Sequence, residues 1–119
     1  TLDLAIDLNT EWANFYSAMA YPGSPLFEHA FKNKIPTPDM DNGPGWIGYS
    51  QHSYECMPLP TDTLNHTQVL DFRDKAFIDY FTNERYLTMI NSKFGSNVVE
   101  HIKEMTAHDL PRIHRNTNN

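Results

Sequence analysis

The sequence predicts an α+β chain, mainly helical, and three observations predict it. Residues 1–33 change character in order, from a short helical pattern to a near-continuous apolar run and then to a second helical pattern. Residues 34–64 hold prolines, glycines and turn formers with no sustained period, which reads as an extended loop. Residues 65–108 place apolar residues at helical spacing, with capping and stopping residues between the runs.

In residues 1–9, Leu2, Ala5, Ile6 and Leu8 are apolar among two aspartates, and Asn9 suits the left-handed position that closes a short helix. WANFYSAMA at 12–20 has the pattern of a strand buried on both faces. Such a strand needs neighbours on either side, and the sequence offers no other convincing one. Tyr21, Pro22 and Gly23 break the run. Ser24 is placed as an N-cap and Pro25 as a first helical residue, and Leu26, Phe27, Ala30 and Phe31 give a stripe, so a helix is expected over 24–33.

Within the loop, Asp39, Asp41 and Asn42 imitate the spacing of a calcium loop. They lack the later glutamate and the flanking helices, so a solvated turn is expected. The run WIGYSQHSYECMPLP at 46–60 packs Trp46, Tyr49, His52 and Tyr54 beside the single cysteine, Cys56. Pro58 and Pro60 hold Met57 and Leu59 extended, because the residue before a proline is pushed out of the helical region.

Asn65 and Gln68 stand three apart, as in a capping box, ahead of Val69, Phe72, Arg73, Ala76, Phe77, Tyr80 and Phe81 at helical spacing. Asn83 caps a second stripe of Tyr86, Leu87, Ile90 and Phe94, which Gly95 stops. Ser96 opens a third, with Val98, Val99, Ile102 and Met105. Asp71, Arg73, Asp74 and Lys75 read most simply as exposed charges, with an Arg73–carboxylate pair between helices as the other option. The expected organisation is a unit at 1–33 (helix 1–9, strand 12–20, helix 24–33), a strap at 34–64, a helical cap at 65–108 and a flexible tail at 109–119.

The length of 119 residues suits one domain, and an aromatic content of 13% lets a few large rings dominate the packing. A formal charge of −6, with no basic stripe before the last dozen residues, argues against nucleic acid and anionic membrane as partners. No apolar run approaches the ~20 residues that span a bilayer. One cysteine cannot form an internal disulfide, so a reducing cytoplasm is expected. Because the chain begins at Thr1 directly in a helical pattern, it reads as a piece of something longer. His101, Glu104 and His108 share one helical face with His114 beyond, and this face is read as solvated, not as a metal site. Cys56, without a paired histidine base, is read as structural.

The run ANFYSAMAYPGSPLFEHA resembles the late βα unit of the radical SAM barrel, where a buried strand ends in a Tyr-Pro-Gly turn before a helix. Two further runs, WIGYSQHSYECMPLPT and FRDKAFIDYFTNERYL, are similar to the C-terminal extension of cobalamin-binding radical SAM enzymes, the group that includes the anaerobic magnesium-protoporphyrin monomethyl ester cyclase. The resemblance covers nearly all of residues 1–108. It implies a C-terminal fragment of an Fe-S oxidoreductase or methyltransferase-type parent that uses a 4Fe-4S cluster, S-adenosylmethionine and cobalamin. The fragment would close the barrel and shape the substrate pocket, with the remainder of the parent chain as its partner. No cofactor is expected in this chain: the family's C-x-x-x-C-x-x-C loop needs three thiolates and only Cys56 is present, so the chain is expected to be inactive alone.

By the same resemblance Tyr49, Gln51, His52 and Tyr54 are the substrate-pocket candidates. The alternative for this segment, a structural strap whose Gln and His satisfy backbone groups, stays open. Self-association through the orphan strand 12–20 is expected of the isolated chain. Two other readings are carried: a self-standing helical binding module without enzymatic activity, and a small metal-binding protein using the histidines.

Overall fold

A computed structural model describes residues 1–115 and is helical. The helices are α1 (Leu2–Leu8), α2 (Pro25–Lys32), α3 (His66–Phe81), α4 (Glu84–Phe94) and α5 (Ser96–Ala107), with a 3₁₀ turn at Gly45–Tyr49. No strand occurs among the described residues, so the α+β expectation is corrected to all-α.

The error lies in 12–20, and its physical cause is the missing ladder partner. A β-strand satisfies its backbone through neighbouring strands. Here other groups take that role. The Ser17 N–H donates to Gln51 Oε1 at 3.0 Å, and the Ser17 carbonyl accepts from Gln51 Nε2 at 3.0 Å. The Ala18 carbonyl accepts from the Leu59 N–H at 2.9 Å. Burial also alternates, with Ala13, Phe15 and Ser17 more covered than Trp12, Asn14 and Tyr16. A near-continuous apolar run therefore does not mean two covered faces here.

The helix ends follow local chemistry. Asn9 closes α1 at φ 49°, its N–H donating to the Ala5 carbonyl. The Ser24 hydroxyl accepts from the Phe27 N–H at 3.1 Å and Pro25 opens α2. Before α3, the Asn65 N–H donates to Gln68 Oε1 and the Gln68 N–H to Asn65 Oδ1, both at 2.9 Å, a reciprocal capping box. The Asn83 side chain accepts from the Arg85 and Tyr86 N–H groups at the start of α4.

The chain forms two compact units. The first comprises Thr1–Phe15 and Asp74–Asp109. Its core is Tyr80, Phe81, Tyr86, Ile90 and Ile102, against which Leu2, Ile6, Phe15 and Phe77 pack. The rings meet at angles: Tyr86 stands edge-on to Phe81 at 5.3 Å, and Trp12 lies tilted on Phe81 at 4.8 Å. The Tyr80 hydroxyl donates to the Thr10 carbonyl and that of Tyr86 to the Glu11 carbonyl. Helices α4 and α5 pack on each other.

The second unit comprises Tyr16–Arg73 and Leu110–Asn119, described as far as Arg115. The flexible tail expected over 109–119 lies, from 116 onward, outside the described residues. The core of this unit is Met19, Tyr49, Cys56 and Leu70. Its loop is fixed locally: Asp39 Oδ1 accepts from the Asp41 and Asn42 N–H groups, and these bonds hold the Asp39 carboxyl below its usual range. Gly48 lets the strap fold back against Pro38, because a Cβ there would stand 2.5 Å from the Pro38 ring.

Candidate functional site

The candidate site is an open groove of about 540 Å³ lined by Tyr16, Ser17, Met19, Tyr21, Gln51 and His52, with Ala18 between them. That volume lies within the range of small-molecule sites. Two stretches of chain build it, one at 16–21 and one at 51–52.

Gln51 joins the two stretches. Its Oε1 accepts from the N–H and the hydroxyl of Ser17, and its Nε2 donates to the Ser17 carbonyl. The side-chain amide thus pairs with a backbone as a neighbouring strand would. In this arrangement Gln51 sets the position of the wall.

His52 is exposed and is fixed from behind by Arg73, whose Nη2 lies 2.9 Å from His52 Nε2. A guanidinium can only donate, so Nε2 is the acceptor and the neutral imidazole carries its proton on Nδ1. Arg73 is itself 5% exposed. The reading of Arg73 as an exposed charge is therefore corrected: it sits on the inner face of α3, its guanidinium directed to an imidazole.

Of the other sequence candidates, Tyr49 lies beneath the groove. It is buried, stacks on Tyr21 at 5.3 Å with an interplanar angle of 28°, and approaches Trp46 at 5.8 Å. Burial pushes its phenol pKa up, partly offset by the Thr37 side chain. Tyr54 does not line the groove and is 48% exposed. The structure therefore brings Gln51 and His52 into the site, places Tyr49 behind Tyr21, and leaves Tyr54 on the surface.

Sequence reasoning missed Tyr16, Ser17, Met19 and Tyr21, which it had assigned to a strand and its terminating turn. A signal was present: two tyrosines carry polar tips that a doubly buried strand has little use for. Cys56, fully buried in the core of the second unit, is not positioned for metal or acyl chemistry at the groove. Among the described residues no group of three or more His, Cys, Asp or Glu side chains could hold a metal ion, and His101, Glu104 and His108 are exposed on or just beyond α5. No helix of the described residues is long and apolar enough to cross a membrane.

Comparison with known protein families, curated proteins and solved structures finds no match to this chain.

Proposed function

We propose that this chain is a C-terminal part of a cobalamin-dependent radical SAM enzyme and supplies one wall of that enzyme's substrate pocket. One observation carries the reading. Two of the runs that carry the resemblance, ANFYSAMAYPGSPLFEHA and WIGYSQHSYECMPLPT, contribute residues 16–19 and 21 from the first and Gln51 and His52 from the second to a single groove.

The residues present do not fit the family's iron–sulfur cluster, because one buried thiol cannot replace three thiolates. The cluster, S-adenosylmethionine and cobalamin would belong to the remainder of the parent, in a reducing cytoplasm, and this chain would not turn over substrate alone. What it contributes is positional. Tyr16, Met19 and Tyr21 give apolar and aromatic walls that the remainder of the parent would cover, Gln51 fixes the spacing of those walls, and His52 faces the groove with its tautomer set by Arg73. Closing such a wall over a radical intermediate protects it from quenching.

The test is His52→Ala in the full-length enzyme. Turnover is expected to fall by about tenfold or more, as for loss of a proton-handling or positioning group, with cluster content and thermal stability unchanged. Wild-type turnover would assign 49–54 to a structural strap. A reading frame upstream of Thr1 without a C-x-x-x-C-x-x-C loop would end the proposal altogether.

A further inference from the structure

We propose that Arg112 is the positioning residue of the groove's Gln51–His52 wall and that residues 110–115 act as a latch on it. The inference rests on the groove being the working site, but its geometry stands independently of the parent's chemistry.

The segment 51–55 turns tightly and forms no regular helix, and the one local backbone bond to its carbonyls is that from the Cys56 N–H to Ser53 at 3.3 Å. The tail supplies partners to three of them. Arg112 Nη2 donates to the Gln51 carbonyl at 2.6 Å and Nη1 to the Ser53 carbonyl at 2.7 Å, and the Ile113 N–H donates to the Tyr54 carbonyl at 2.9 Å. Arg112 is 7% exposed although it lies beyond the last helix, in a region whose composition reads as a loose tail. A buried guanidinium with both terminal nitrogens engaged holds a defined geometry.

The pairing of residue types is specific. Carbonyls two residues apart in a turn match the fork of a guanidinium, whereas an ammonium is a point donor. The tail is further shaped by Arg115, which donates to the Leu110 carbonyl at 3.0 Å, and by His114, which stands edge-on to His66 at 5.1 Å beside the start of α3. With the Gln51 carbonyl held by Arg112 and its side chain by Ser17, the backbone leading into His52 is fixed at both ends.

Amide exchange on the full chain, followed by NMR in wild type, Arg112→Lys and Arg112→Ala, tests the assignment. The Ser17 N–H, bonded to Gln51, is the reporter, and Tyr86, Ile90 and Ile102 in the other unit are the control. If Arg112 acts through its fork, Ser17 exchanges about tenfold or more faster in both variants while the control amides keep their protection, since local openings differ between regions of one molecule. The His52 nitrogen signals should also depart from the single Nδ1–H tautomer. Wild-type protection at Ser17 in both variants would overturn the proposal. So would loss of protection at all four amides in both, which would make Arg112 a determinant of the fold as a whole. An altered Ser17 exchange together with a full-length His52→Ala enzyme of normal turnover would leave the latch standing and remove the functional reading.

Discussion

The hydroxyl of Tyr86 donates to the Glu11 carbonyl at 3.0 Å from a ring that is almost completely buried. Desolvation, with the nearby Tyr80 and Glu11 adding smaller effects, pushes its pKa up from 10.0 to about 12. The folded chain therefore keeps this proton where the unfolded chain has lost it. Stability from this group is complete below pH 10 and falls as pH rises from 10 towards 12, by up to about 2 kcal/mol. Urea unfolding at pH 8 and pH 11 should show Tyr86→Phe about 1 kcal/mol less stable than wild type at the lower pH, because the Glu11 carbonyl loses its donor. At the higher pH the two proteins should converge. A constant gap would contradict the assignment of the slope to Tyr86. At the same scale, Arg73 and Arg112 explain why part of the site was illegible in sequence. The place of Arg73 in the stripe of α3 was readable, but a lone arginine carries no sign of its partners, since His52 and the carbonyls of Gln51 and Ser53 are 21, 61 and 59 residues away.

At the scale of elements, what was legible was what is local. The Asn65–Gln68 box, the Ser24 and Asn83 caps and the Asn9 closure all involve residues within four positions of one another, so sequence spacing contains the whole interaction. The segment 12–20 failed because strand formation is a property of two segments, and apolar composition reports on one. Gly95 gives the sharpest test of an element boundary. At φ 90° and ψ 173° it occupies a region essentially reserved for glycine, although a Cβ would meet nothing within 4 Å. Gly95→Ala is expected to destabilise the chain by about 1–3 kcal/mol in chemical denaturation, purely through backbone strain. A neutral effect would mean that the α4–α5 turn adjusts freely. Gly48 makes the opposite case, where steric contact with Pro38 is the constraint.

For the molecule as a whole, the important feature is the distribution of its cores. Each unit has its own apolar cluster, and one helix lends side chains to both: Leu70 of α3 belongs to the cluster with Met19, Tyr49 and Cys56, and Tyr80 and Phe81 of α3 to the cluster with Tyr86, Ile90 and Ile102. The division between the units falls inside this helix, between Arg73 and Asp74.

This shared helix gives the two tryptophans an optical use. Trp12 lies against Phe81, and Trp46 beside Tyr49. Each indole is more than half exposed yet touches a buried ring, so its emission should shift when that core opens. Trp46→Phe leaves a fluorophore reading only the first cluster, and Trp12→Phe one reading only the second. Their urea melting curves are expected to share one midpoint, as one cooperative transition requires. Two separated midpoints would instead place a hinge within α3, and the emission of each variant would give the stability of one unit by itself.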